Sequence, residues 1–426
     1  MGMSQPTRIL VALIAGLLLG IAAAALAVPA LTTNLLAVAE PVGGLWLDAL
    51  RMTIVPLVVS LLITGIAAGT QAARAGRLTL RAIVIFLIVL WSSALLGAML
   101  LPTIVDLWPL PAKSGDALRA ALGTTTTISA REIPGIAAFL RGIIPTNPFG
   151  AAASDAMLPL IVFTTIFSFA VTRLPEHPRS LLTNLFAAVA DAMLVIIGWV
   201  LWIGPLGVFA LAFVVGARAG SSAVGALLHY VIAVTIVGSI VWLLAYPVAR
   251  IGGRVPLSRF ARALAPVQAV AVSTQSSLAC LPAMLTAAER LGVPVRTAGV
   301  VLPLAVALFR ATGPAVNLAV ALYIAHWFRI ELGPLAIAAG IATAAITTMG
   351  AVSLPGQVSF ITSIAPIAMA MGVPFEPLAL LVAVEPIPDI MRTVGNATMD
   401  VAVTTVAARD ANEPTSETHA HDTATR

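Results

Sequence analysis

Long apolar runs separated by short arginine-bearing stretches make up most of this chain. Ile9 to Ala30 follows Arg8 and is long enough to cross a bilayer. AVPA at 27–30 imitates a cleavage site, but the residues ahead of the run are too weakly basic for a signal peptide, so it reads as a first transmembrane helix. Gly43 to Ala68 is the second span, and Pro56 inside it predicts a kink packed against protein. Ala82 to Leu101 is the third. PTNPFG at 145–150 opens the fourth, which runs to about Val171. The fifth covers Leu182 to Gly216 with a break at Gly204-Pro205, and the sixth Ser222 to Ala249. Arginines cluster at 74–81, at 173–179 and at 250–262, on alternate loops. That bias places those loops and both termini in the cytoplasm.

After the sixth span the pattern changes. Residues 263–293 are too polar and too short for two spans, and their apolar arms flank a polar tip from Ser273 to Ser277. Such a stretch predicts a re-entrant helical hairpin. A seventh span, Thr297 to Trp327, contains Arg310, Thr312, Gly313, Pro314 and Asn317. A second hairpin is expected at 334–372, tipped by SLPGQVS at 353–359, before an eighth span that ends near Ala408. Hairpin and broken helix thus occur twice, in opposite directions. Inverted repeats of this kind bring interrupted helices to the bilayer midplane, where substrate and coupling ions bind. The fold class is an all-α polytopic membrane protein with eight transmembrane helices and two re-entrant hairpins.

Polar residues concentrate in one place, Glu385 to Asp400. Asp389, Arg392, Thr393, Asn396 and Asp400 fall within about 100° of one helix face. Charges at membrane depth are costly unless they pair or face a watery cavity, so the stripe is either a fixed Asp389–Arg392 ion pair or a binding site. Pro386 and Pro388 remove backbone donors, and the helix is expected to start afresh near Asp389. Composition agrees with a membrane protein: 60% of the 426 residues are hydrophobic and 10% charged. The net charge of +5 comes from scattered arginines, with no basic run that would point to nucleic acid. One cysteine, Cys280, excludes a disulfide framework. His229 and His326 stand alone, and no metal cluster or cofactor motif is evident. Ser276 and Ser277 have no histidine nearby, so an intramembrane hydrolase lacks its base. The polar tail after residue 408 reads as disordered.

These motifs resemble those of the dicarboxylate/amino acid:cation symporters, the glutamate-transporter family, over about residues 8–408. GLWLDALRMTIVPLVVSLL at 44–62 is similar to the family's second helix, and PTNPFG and GPLGVFAL at 204–211 are close matches. STQSSLACLP at 273–282 and LPGQVS at 354–359 resemble its two hairpin tips, and DIMRTVGNATMD at 389–400 its substrate motif. The resemblance implies a homotrimer in the cytoplasmic membrane. Each subunit would be one transporter unit over 1–408, with a scaffold (about 9–68 and 145–217), an elevator-like transport domain (about 82–107 and 222–408) and a cytoplasmic tail at 409–426.

It also implies roles. Arg392 would take a substrate side-chain carboxylate and Asp389 an amino group, with Thr393 and Asn396 adding polar contacts. Ser276 and Ser277 at the first tip would hold the α-carboxylate, and Leu354, Pro355 and Gly356 would close the second gate. Asp400 with Asn396 would form a sodium site. The chemistry fits, since guanidinium binds carboxylate in a bidentate fashion. The family's seventh-helix motif, Asn-Met-Asp-Gly-Thr, is matched here by VNLAV at 316–320, which retains only Asn317 as a shifted remnant. Ser92 and Ser93 would then lack their partner in a cation site. Arg310 either packs in a salt bridge with Asp400 or Glu385, or stands in for a lost sodium ion. In the second case Glu385 or Asp389 would gain and lose a proton, since burial favours the neutral carboxyl. The expectation is a symporter of acidic amino acids or dicarboxylates driven by sodium or protons. The alternative is a proton-coupled or uncoupled carboxylate carrier in which Arg310 replaces sodium.

Overall fold

The computed structural model describes residues 5–26, 29–74, 76–110, 141–350 and 356–409, and every regular element among them is helical. The threonine run at 124–127, Leu354 and Pro355 of the second tip, and the tail after Arg409 lie outside the described residues. Six helical stretches are long and apolar enough to cross a membrane, including Thr7–Ala25, Arg77–Leu107, Ser222–Gly252 and Val295–Trp327.

The first half is built around α1 (Gln5–Ala25), α2 (Pro29–Arg74) and α3 (Arg77–Leu107). The expected second span is only the middle of α2. This helix has 46 residues and runs uninterrupted through Pro41 and Pro56. At 1.5 Å per residue it is roughly 70 Å long, about twice the hydrocarbon thickness. Arg74 and Arg77 therefore do not sit in a loop but end one helix and begin the next, and Arg81 lies within α3. PTNPFG makes a capped turn. Asn147 Oδ1 accepts from the backbone N–H groups of Phe149 and Gly150 at the start of α4 (Pro148–Ala153), and Pro148 fills the position whose N–H is free anyway. A positive-φ residue, Asp155, turns the chain into α5 (Met157–Val171). Arg51 of α2 holds this turn through a 2.6 Å ion pair with Asp155 and lies over the Phe375 ring at 4.9 Å.

The predicted fifth span is two helices, α6 (Glu176–Trp202) and α7 (Gly204–Ala219), with the break at Ile203. α7 packs closely on α1 because glycines line the contact. A Cβ at Gly16 would lie 2.5 Å from the Phe209 carbonyl oxygen, one at Gly20 would overlap that of Phe213, and one at Gly216 that of Leu17. With no hydrophobic force between helices in lipid, such close backbone approach is what holds them together.

The second half begins with α8 (Ser222–Pro247) and a π-helical turn at Val248–Gly252. Two helices joined by a two-residue turn follow, α9 (Leu257–Thr274) and α10 (Ser277–Arg290), and they pack on each other as the first hairpin. Gln275, left-handed at φ 50°, ends α9, and Ser276 caps α10 by accepting from Ala279 N–H. The seventh span is interrupted, giving α11 (Val295–Leu308) and α12 (Gly313–Trp327). Every residue of α12 except His326 is buried, which its all-round apolar sequence requires. The second hairpin pairs α13 (Pro334–Gly350) with α14 (Gly356–Ala370). A short α15 (Leu378–Leu381) leads into α16 (Pro386–Ala408). That helix restarts at Pro386, three residues before the expected point, because a proline is favoured at a helix's first position.

Gly20→Val should push α1 off α7, costing roughly 1–3 kcal/mol or more, and lower the melting temperature of the detergent-solubilised protein. Gly44→Ala, where a Cβ meets nothing within 4 Å, should leave melting unchanged or raise it.

Candidate functional site

The predicted polar stripe lies on α16, buried in the middle of the second half. α16 packs against α8, both arms of the first hairpin, and α11. Arg392 is 8% exposed and Glu385 1%. Glu385 Oε1 lies 2.7 Å from Arg392 Nη1, and Asp389 Oδ1 lies 3.6 Å from the same nitrogen. The closer partner is thus Glu385, on the turn before the helix, and not Asp389 as the stripe alone suggested. Arg392 Nε and Nη2 make no hydrogen bond among the described residues. One end of the guanidinium is anchored and its other edge is unpaired among the described residues. A planar fork with two free donors on one edge is the geometry that takes a carboxylate side-on.

Asn396 has a different position from the one expected. Its Oδ1 accepts from the Thr312 backbone N–H at 2.9 Å. The Thr312 hydroxyl lies 2.8 Å from the same oxygen and 3.0 Å from the Arg392 carbonyl, and shares its single proton between them. Thr312 immediately precedes α12, so the Asn396 side chain caps an interrupted helix. Ser93 donates to the carbonyl of Ala311 in the same interruption. Ser92, its neighbour, is exposed and takes no part.

The interruption itself spans Phe309 to Thr312, reading FRAT. Residues 316–320, assigned above to the seventh-helix motif, are instead a regular buried stretch of α12. Unwound backbone is where free carbonyls can serve a cation, and in this span it lies at 309–312. Arg310 therefore stands inside it. Its Nη1 donates to Ser359 Oγ of the second hairpin at 3.2 Å, and it interacts electrostatically with Asp389 and Asp400. Asp400 is fully buried, and neither carboxylate oxygen has a hydrogen-bond partner among the described residues. The same holds for Asn317 Oδ1 on α12. Thr393 is buried on the face of α16 beside these groups. At the first tip Ser276 is committed as a cap, and Ser277, the first residue of α10, is half-buried. Gly356 starts α14.

Residues that the sequence gave no reason to select also belong here. Gln268 of the first hairpin donates to Thr398 on α16 at 3.3 Å and to Tyr246 at 3.1 Å. Tyr230 of α8 interacts electrostatically with Glu385 and Arg392. His229 is not isolated: its Nδ1 is 2.8 Å from Tyr323 Oη and its Nε2 2.7 Å from the Trp108 carbonyl, tying the end of α3 to α12. Cys280 is fully buried between the hairpin arms, its sulfur 3.9 Å from the Val267 carbonyl, and the Asp400 charge acts on it. No group of three His, Cys, Asp or Glu that could hold a metal occurs among the described residues.

A buried arginine with an unpaired edge, beside carboxylates and an interrupted helix, is an arrangement suited to a membrane carrier. The chain belongs to the sodium:dicarboxylate symporter family, which it matches over residues 6–410. It is 29% identical over 379 residues to the proton/glutamate-aspartate symporter of Escherichia coli (strain K12), covering 86% of this chain and 84% of that one. It is 28% identical to the proton/sodium-glutamate symport protein of Bacillus subtilis (strain 168), over 95% of this chain and 92% of the relative. It is also 27% identical to C4-dicarboxylate transport protein 1 of Pseudomonas paraeruginosa, over 95% and 89%. Those relatives are transporters and not enzymes, and this chain is a multi-pass membrane protein of their family.

Asn396→Ala leaves the Thr312 N–H without an acceptor inside the fold. It should lower stability by about 1–3 kcal/mol in thermal melts, whereas Ser92→Ala, on the exposed side of α3, should melt like the unaltered protein.

Proposed function

We propose that this protein is a secondary transporter that carries acidic amino acids or dicarboxylates across the cytoplasmic membrane. The observation that carries the reading is the Arg392 guanidinium: buried, anchored through Nη1 by Glu385, and unpaired along its Nε–Nη2 edge among the described residues. A substrate carboxylate binds that edge. Asp389, 3.6 Å from Arg392, receives a substrate amino group when one is present, and Thr393 borders the same space. Asn396 offers only its amide N–H groups, since Thr312 occupies its oxygen. Ser277 and the backbone at the first tip face the substrate's other end, and the second tip, Leu354 to Gly356, closes over it.

The arrangement for transport is eight spans with two re-entrant hairpins. The hairpins, interrupted helices and α16 move as one unit against α2 and its neighbours, in a homotrimer with both termini in the cytoplasm. Ion coupling falls to the region around Asp400. Glu385, Asp389 and Asp400 outnumber Arg310 and Arg392 by one charge, so the buried cluster calls for a cation or a proton. In one version a sodium ion sits at Asp400 and the Asn396 backbone. A second version is favoured by a specific observation: Arg310 stands in the unwound segment where cation ligands are otherwise expected, within the field of Asp400 and Asp389. There Arg310 supplies the positive charge and a proton completes the balance.

Uptake of labelled L-aspartate and succinate into liposomes, with sodium or choline outside and with or without an inward proton gradient, separates these versions. Sodium-driven uptake selects the sodium site. Uptake indifferent to sodium and driven by external acid selects the Arg310 version. Arg392→Gln should reduce uptake by roughly 100-fold or more under either gradient, the scale expected when one partner of a buried charge pair is lost. Uptake undiminished in that variant would sink the assignment of Arg392.

A further inference from the structure

Two tyrosines meet beside the carboxylate site, and their hydroxyls are treated differently. Tyr230 on α8 and Tyr323 on α12 pack edge to face, with ring centroids 5.3 Å apart and planes at 71°. The Tyr323 hydroxyl is satisfied, 2.8 Å from His229 Nδ1 and 3.3 Å from the Ala226 carbonyl. The Tyr230 hydroxyl is fully buried and has no hydrogen-bond partner among the described residues. Leaving a hydroxyl unpaired in a protein interior costs about 1–3 kcal/mol. Phenylalanine would fill the same space and keep the same ring contact without that cost. The hydroxyl is therefore a net burden on the empty fold.

Its surroundings indicate what would relieve it. Tyr230 interacts electrostatically with Glu385, Arg392 and Tyr323, and its helix packs against α16. Arg392 Nε and Nη2 are likewise without partners among the described residues. Three unused donors, two from a guanidinium and one from a phenol, come from two different helices to one buried region. Glu385 brings two oxygens without hydrogen-bond partners among the described residues to the same cluster, fewer than these three donor atoms, and a further carboxylate would supply the missing lone pairs.

We propose that Tyr230 is a specificity-determining residue that donates a hydrogen bond to the substrate carboxylate seated on the unpaired edge of Arg392. The inference rests on the carrier reading above and adds to it a second recognition point, supplied by α8 and not by α16. The carboxylate on Arg392 then receives donors from two sides. A substrate that places an amide or an alkyl group there leaves the phenol unpaired, and a site built around buried hydrogen-bonding groups rejects such analogues strongly.

The test uses the full-length protein in detergent, unaltered and as Tyr230→Phe and Arg392→Gln. Binding of L-aspartate and of succinate is titrated calorimetrically, and melting is recorded without ligand. Tyr230→Phe should bind roughly 10- to 100-fold more weakly, the factor carried by a hydrogen bond to a charged group. Its ligand-free melting temperature should equal or exceed that of the unaltered protein. Affinity within about twofold of the unaltered protein would overturn the inference. So would a lowered ligand-free melting temperature, which would assign the hydroxyl to the fold through Glu385. If the unaltered protein binds neither acid, or if Arg392→Gln binds as well as the unaltered protein, the carrier reading fails and the inference falls with it.

Discussion

A helix that stops inside a hydrocarbon layer exposes backbone groups that water cannot reach, and each must find a partner within the protein. Here the interruption at 309–312 is met from two directions. Asn396 and the Arg392 carbonyl reach it from α16, and Ser93 reaches it from α3. Because the partner on α16 is the turn that also carries Arg392, holding the broken helix and positioning the charged site are a single task. A shift of α16 along its axis would unpair the interruption, so the guanidinium is fixed by backbone satisfaction as much as by its ion pairs.

The charges follow a similar logic. A lone guanidinium at this depth would be prohibitive, and a fully paired one would be inert. Arg392 lies between these limits. Glu385 on the turn preceding the helix takes one nitrogen, and the rest of the fork remains available. Arg310 shows the other solution. It leans on a hydroxyl of the second hairpin and on the fields of two aspartates, linking the unwound segment to that hairpin. The two arginines thus tie the same cluster to different elements.

Much of this was legible in the chain itself. The 100° polar stripe placed Asp389, Arg392, Thr393, Asn396 and Asp400 together, and periodicity is reliable where a single helix decides the geometry. Two packed helix pairs, at 257–290 and at 334–370, were legible because short apolar arms flank a polar stretch in each. What could not be read was contact between elements. Nothing local in the sequence says that Thr312 meets Asn396, or that Glu385 outcompetes Asp389 for Arg392. The stretch at 316–320 is instructive: Asn317 drew attention to a polar residue, whereas the helix is interrupted several residues earlier, after Leu308. Tyr230 and Gln268 lay in unremarkable apolar surroundings, and only tertiary packing gives them their neighbours. The expected second span captured only the middle of α2, which runs on through Pro41 as well as Pro56.

Cys280, closed off between the arms of the first hairpin, has a practical consequence. The chain's one thiol is sequestered, so the folded surface is chemically blank to maleimides and spin labels. A cysteine introduced anywhere outside would report alone, and pairs placed across α2 and the second hairpin could track distances without first stripping the native residue. Reaction at Cys280 itself, by contrast, would report loosening of the packing that now buries it.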